Sequence, residues 1–262
     1  MTASAQNDSE ILSGAINSVV RTGDRVRRPS SGPAVHAYLN HLEERGFGGA
    51  PRFLGTDGEH EVLSFMAGTV FADTHLADMP DAALPGVAHL LAELHETGND
   101  FVSRRTVAWT SERVTGGSRL TICHNDVAPR NTVLRDGRPV GLIDWDLAGP
   151  EIPDWDLAHA VWQFAPLDDD RGCRQRGFTT APDRLERMRA MVLAYGPRTT
   201  DADAFAGLVA LRIRTTLLGI EARAARGEAV FVRLAAAGVT DDLRRQLSWV
   251  RRHREVIAHA AR

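Results

Sequence analysis

Residues 120–146, LTICHNDVAPRNTVLRDGRPVGLIDWD, constrain this chain more than any other stretch, because a tight-turn signal sits among five side chains able to bind ions or protons. Residues 119–123, 132–135 and 139–143 are short β-prone runs, and Asp136-Gly137 between the last two is a dipeptide that two-residue hairpins favour. Arg135 should then face Arg138, and counting outward from the turn brings Pro129 opposite Asp144, with Asn131 a residue or two away. His124, Asp126, Asn131, Asp144 and Asp146 are thereby gathered about one pair of strands.

A carboxylate and an amide oxygen at such a place suit Mg2+, a hard cation that keeps several waters and shares its other positions with substrate phosphates. Asp144 and Asn131 are the expected ligands. Asp126 lies five residues before Asn131, near enough to orient a hydroxyl and take its proton during phosphoryl transfer. That reaction asks for in-line positioning and neutralised phosphate charge rather than covalent help, so a base, a metal carboxylate and an amide form a sufficient minimum.

His124-Asn125-Asp126, Pro129-Arg130-Asn131 and Ile143-Asp144-Trp145-Asp146 resemble the catalytic loop and metal-binding segment of the aminoglycoside phosphotransferase and choline kinase-like family. Residues 149–158, GPEIPDWDLA, extend the likeness through Asp156, Leu157 and Ala158. The resemblance implies an α+β, two-lobed protein-kinase-like fold, with a small antiparallel-sheet lobe over residues 1–66 and a larger, mostly helical lobe over 67–262. It also implies Asp126 as the base, Asn131 and Asp144 as metal ligands, and Arg130 steadying the phosphates or the loop. His124 braces the loop, with Asp146 and Asp156 in support. The co-substrate is ATP or GTP with Mg2+, and the acceptor is a hydroxyl of an aminoglycoside-like antibiotic or a small metabolite.

The chain contains no lysine, so all 31 basic residues are arginines. Residues 18–21 and 25–28 flank Thr22-Gly23-Asp24 as a hairpin after a small-residue turn at Ser13-Gly14, and resemble the phosphate-covering loop and its next strand. Alternation puts Val26 and Arg28 on one face, so Arg28 stands where such kinases place the lysine that touches phosphates. The helix expected over 34–45 offers Val35 or His36 where the family has a partner glutamate, so the ion pair is expected to be missing and His36 to serve packing. Two further strands, 50–55 and 61–66, complete the sheet, and the segment 64–68, with Ser64, Phe65 and Met66, is the expected hinge whose backbone meets the nucleotide base.

Apolar spacing predicts a buried helix over 84–97, and further helices over 184–195, 202–226, 229–237 and 241–262 that carry acceptor specificity. Glu151, Asp154 and residues 168–170 are the candidate carboxylates for a cationic acceptor. At 262 residues, net charge −3 and 43% hydrophobic content, the chain reads as a soluble globular protein, not a nucleic-acid binder. A signal peptide and an apolar run of membrane-crossing length are both lacking, which predicts a cytoplasmic protein without a membrane partner. Two cysteines are too few for a disulfide framework, and Cys123 reads as core. The alternative reading is a non-catalytic nucleotide-binding or regulatory protein, motivated by the missing lysine, glutamate and glycine-rich loop; oligomeric state is left open. A metal-dependent hydrolase needs a richer His or carboxylate cage, and a protein kinase needs DFG and APE elements.

Overall fold

The structure, a computed structural model, describes residues 9–13, 18–101, 109, 119–196 and 198–262. An antiparallel sheet of order β1-β2-β3-β5-β4 forms the N-terminal part. Its strands are β1 (Ser9–Ser13), β2 (Ser18–Thr22), β3 (Arg25–Pro29), β4 (Phe53–Asp57) and β5 (His60–Ser64). The hairpin expected about Gly23 is present, with Thr22 opposite Arg25. The strand before it was not foreseen; Ser13 ends that strand, and the rest of the turn expected at Ser13-Gly14 lies outside the described residues. Helix α1 (Pro33–Glu44) starts on a proline and buries Val35, Tyr38, Leu39 and Leu42.

After β5 the chain turns at Gly68, whose φ of 155° and whose hypothetical Cβ, 2.4 Å from the Leu134 carbonyl oxygen, leave no room for a side chain. That close approach lets Thr69 and Leu134 exchange backbone hydrogen bonds of 2.8 Å, tying the connection to the hairpin of residues 132–142. Helix α2 (Leu84–Thr97) occupies the expected span, with Leu84, Val87, Leu91 and Leu94 all inaccessible to water. Each such side chain contributes about 1.5–3 kcal/mol through burial.

The hairpin β7 (Thr132–Arg135) and β8 (Arg138–Leu142) turns on Asp136 and Gly137, with φ of 51° and 73°, the doubly left-handed turn that their residue types favour. Arg135 faces Arg138 as expected, but a bulge between Val133 and Leu134 shifts the outer register by one. Ile143 N–H therefore donates to Asn131 O at 2.9 Å, and continuing that register brings Arg130 rather than Pro129 opposite Asp144, with Asn131 one position on. Pro139, which lacks an N–H, sits where the ladder slips.

Strand β6 (Thr121–Cys123) pairs with β9 (Gly149–Glu151) and leads into α3 (Pro153–Phe164), a helix buried along nearly all its length. Asp154, Asp156, His159 and Gln163 are buried among its apolar residues, so no single apolar stripe marks it in a periodicity reading. Helices α4 (Asp170–Gln175), α5 (Arg184–Tyr195), α6 (Ala202–Ala225), α7 (Ala229–Ala236), α8 (Val239–Arg252) and α9 (Arg254–Ala260) complete the described chain. The single terminal helix expected over 241–262 is broken at His253, whose φ of −105° and ψ of 18° leave the helical region. One continuous apolar cluster runs from Val35 and Leu63 through Trp145 to Val209 and Ile257, so both parts share a core. Among the described residues no helix is long and apolar enough to cross a membrane.

Candidate active site

Two networks of charge meet beside the β7–β8 hairpin. The first surrounds the loop after β6. Asp156, fully buried on α3, accepts the backbone N–H groups of His124 at 2.6 Å and Asn125 at 2.7 Å, and His95 Nε2 lies 3.2 Å from it. Burial opposes its charge, yet His95, His124 and the Asn125 amide hold its carboxyl below the usual range. Asn125 can adopt a φ of 64° there because its side chain tolerates the left-handed region, and Asn125 Nδ2 donates to Leu147 O at 2.8 Å. His124 is wholly buried; its Nδ1 accepts the Asp126 N–H at 3.3 Å, which assigns the proton to Nε2 and makes that atom the donor to Ile143 O at 3.0 Å. His124 thus joins the backbone of Asp126 to the residue preceding Asp144.

Asp126 is held by three aligned hydrogen bonds. Arg130 Nη2 donates to Oδ1 at 2.8 Å and to Oδ2 at 2.9 Å, and Asn131 Nδ2 donates to Oδ2 at 2.8 Å. A carboxylate offers about four lone-pair sites, so about one remains, and the side chain is 16% exposed. Burial pushes its carboxyl up, but His159, Arg130 and His124 outweigh burial and hold it well below the ordinary carboxylate range. The Arg130 charge is the part of this that pH does not alter. His159 Nε2 comes within 3.3 Å of Asp126 Oδ1 without an aligned hydrogen bond, and its Nδ1 is also unpartnered. Burial first, then the Arg212 charge, lowers the His159 imidazole to about 4, so it is neutral at pH 7. Arg212 itself comes from α6, donates to Asn125 O, and stacks over Trp155.

The second network joins the sheet to the segment after β8. Arg28 is 6% exposed, although it lies on a strand of the small sheet. Its Nη1 donates to Asp144 Oδ1 at 2.8 Å, its Nη2 donates to Asp146 Oδ1, and its Nε lies 3.5 Å from Glu61 Oε1. Burial alone would lower its pKa, and the surrounding carboxylates, Asp146 first, raise it above the ordinary value instead. Glu61 is directly across the ladder from Arg28 and is 1% exposed. Its Oε2 also accepts Ser31 N–H at 3.0 Å and lies 2.7 Å from His36 Nε2, and its Oε1 lies 2.9 Å from Ser31 Oγ, whose one proton is shared with Asp146 Oδ1 at 2.7 Å. His36 stacks on Phe53 at 4.0 Å between ring centroids. The expectation that the ion pair is missing, and that His36 only packs, is therefore corrected. A glutamate on β5 meets the strand arginine, and the helix position holds a histidine that binds the same glutamate.

The remaining expected residues fall as follows. Asp144 has φ 67° and a half-exposed side chain and follows Ile143, whose N–H bonds Asn131 O; the Asn131 amide nitrogen is committed to Asp126, which leaves its oxygen to accept. One positive charge on Arg28 against three carboxylates leaves an excess of two negative charges, the charge a divalent cation cancels. This donor set of hard oxygens fits Mg2+. Arg130 bridges Asp126 and Asp73, the latter at 3.0 and 3.2 Å. In the hinge, Ser64 N–H donates to Arg52 O at 2.9 Å and Phe65 N–H to Asp24 O at 2.7 Å; the Phe65 ring carries Arg21 at 3.7 Å. Asp73, Glu61, Ser31, His95, His159 and Arg212 were missed; His159 alone had a signal, three residues after Asp156 on the same helix.

His95, Cys123 and Asp156 lie close enough together to suggest a buried metal group. Their atoms are committed elsewhere: His95 Nδ1 pairs with the Tyr195 hydroxyl at 2.8 Å, Cys123 Sγ donates to Ile152 O at 3.4 Å, and Asp156 carries the loop. Burial, with Asp156 and Glu151 nearby, pushes the Cys123 thiol well up, against the thiolate a metal requires.

Residues 100–190 match the model of the phosphotransferase enzyme family. The chain is 35% identical to the trifolitoxin immunity protein of Rhizobium leguminosarum bv. trifolii over 199 residues, 72% of this chain and 75% of that protein. In structure it resembles a choline/ethanolamine kinase family protein from Mesorhizobium loti, with TM-score 0.58, 17% identity, and 95% and 94% of the two chains covered. It also resembles the GDP and kanamycin complex of APH(2")-IIIa, with TM-score 0.60, 14% identity, and 90% and 93% covered. The chain belongs to the phosphotransferase enzyme family and has its two-part kinase-like fold. Its class is that of enzymes moving a phosphoryl group onto an alcohol.

Proposed function

We propose that this protein transfers the γ-phosphoryl group of ATP or GTP to a hydroxyl of an antibiotic or small metabolite, with Asp126 as base. The observation that carries this reading is the single unfilled acceptor position on Asp126, beside a loop whose amide and neighbouring carboxylate can share a cation. A carboxylate held so far below its usual range stays ionised and is a weak proton acceptor at rest. It suits a loose phosphoryl-transfer transition state, in which the hydroxyl is oriented first and loses its proton late. Asn131 and Asp144 would hold Mg2+, which supplies charge neutralisation at the phosphates. Arg28 takes the lysine's place at the phosphates, and Arg130 keeps the base fixed by spanning Asp126 and Asp73.

We take residues 1–66 as the nucleotide lobe and 67–262 as the catalytic and acceptor lobe. The nucleotide base meets the backbone at 64–66, where Met66 follows two amides already committed within the sheet lobe. A cytoplasmic site of action follows from dependence on nucleotide. The relative named for immunity to trifolitoxin favours an antibiotic or toxin over a housekeeping metabolite as acceptor.

The carboxylates considered for a cationic acceptor argue against a polyamine. Both Asp154 oxygens accept from Thr199 and Thr200; Asp168 pairs with Arg245 at 3.1 Å; Asp169 caps α4; and Asp170 pairs with Arg184 at 2.5 Å. The acceptor is therefore better sought among molecules with few positive charges than among aminoglycosides. The non-catalytic alternative loses its main motive, because Arg28 and Glu61 supply the charge pair that the sequence seemed to lack. The test is a mass-spectrometric screen with each nucleotide and Mg2+ against aminoglycosides, macrolides, peptide antibiotics, amino alcohols and sugars. A mass gain of one phosphate supports the reading, and nucleotide binding without any phosphorylated product across the panel returns the alternative.

A further inference from the structure

The guanidinium of Arg28 presents distinct edges, and the structure uses them differently. Its two terminal nitrogens point at Asp144 and Asp146, the segment where nucleotide phosphates and their cation belong. Its Nε edge faces Glu61 at 3.5 Å, close enough for strong attraction but without an aligned hydrogen bond, so it is a charge contact that leaves the head free to swing. Glu61 is held more firmly, because its Oε2 accepts Ser31 N–H and lies 2.7 Å from His36 Nε2, its Oε1 lies 2.9 Å from a Ser31 hydroxyl shared with Asp146, and His36 is clamped in turn against Phe53.

We propose that Glu61, locked by His36 and Ser31, is the positioning residue for Arg28, holding the guanidinium from behind so that its two front donors pass from Asp144 and Asp146 to the nucleotide phosphates. This rests on the kinase reading above. A lysine has a single charged centre and needs one glutamate to aim it; an arginine offers separate edges, so one carboxylate can hold the rear while the front engages phosphate. The glutamate here comes from the strand paired with Arg28 rather than from the helix. The helix position retains a residue, His36, that reaches only as far as the glutamate.

The experiment measures binding of adenosine, ADP and ATP, and of guanosine, GDP and GTP, by calorimetry with Mg2+ to the full chain and to Glu61→Gln. In the variant, triphosphate affinity falls about 10- to 100-fold, as for other supporting carboxylates, while nucleoside affinity stays within about twofold. His36→Gln, at a side chain partly open to solvent, gives a smaller loss in the same pattern and serves if Glu61→Gln does not fold. In an Arg28→Ala background, Glu61→Gln has no additional effect on triphosphate binding, which separates positioning from a general structural role. Equal losses for nucleoside and triphosphate, no loss in a folded variant, or an undiminished loss without Arg28 each overturn the inference. A parental protein that binds none of the six ligands overturns the kinase reading itself, and this inference with it.

Discussion

The two charge networks do comparable work with opposite construction. Around Asp126, the base, its brace Arg130 and its amide partner Asn131 lie within six consecutive positions, and one short loop delivers all three. Around Arg28, the partners are Glu61 on the neighbouring strand, His36 on a helix, and Asp144 and Asp146 more than a hundred positions away. The loop network is local and dictated by spacing, so each residue keeps its familiar role. The sheet network is assembled through the fold, so a role can pass from one element to another while the charges still meet.

The largest expected effect tests the local side. Asp126→Asn keeps the shape and one acceptor for Arg130 but removes the charge and turns the second acceptor into a donor, and kcat should fall roughly 10²- to 10⁴-fold with nucleotide affinity little changed. Phosphate transfer to the acceptor measures this, and parental turnover would refute Asp126 as base. Asp156→Ala comes next, because it strips the loop's two backbone N–H groups and His95 of their shared partner at a fully buried site. A loss of roughly 3–5 kcal/mol of stability is expected in denaturant unfolding, and a variant as stable as the parent would show that the loop holds itself.

Arg28→Ala probes the assembled network. It leaves Glu61 buried without its cation, whereas Asp144 and Asp146 recover contact with water, so the cost should sit near the low end for a broken buried pair, about 3 kcal/mol. For a chain this size that lowers Tm by roughly 6–12 °C, and an unchanged Tm would mean that the network contributes no stability. The smallest effect concerns His159. Its folded pKa of about 4 lies below the ordinary histidine value, so the unfolded chain takes up the proton first on acidification. Stability from this group is full above about pH 6.5 and is lost as pH falls toward 4, at up to about 1.4 kcal/mol per pH unit. His159→Phe should flatten that slope in unfolding experiments across this window, and an undiminished slope assigns the acid sensitivity elsewhere.

The catalytic segment was legible because its geometry follows from chain spacing and one turn. Asp136-Gly137 set the hairpin, and only the slip at Val133 moved the expected opposite number of Asp144 by one. Helix α2 was legible to the residue because its apolar positions recur at helical spacing on one face. Helix α3 was not, since burial on every side erases that period, and the break at His253 lay inside an otherwise continuous helical pattern.

Spacing within residues 124–146 alone determined that Asn131 meets Asp126 and that the strand pairing brings Asn131 to the residue before Asp144, because a short loop and a tight turn join them. Which glutamate answers Arg28 was decided only in the tertiary structure. Glu61 becomes its partner through strand pairing, and Asp144 reaches it across 116 positions of chain, distances that no local pattern encodes and that only the packed core brings to contact.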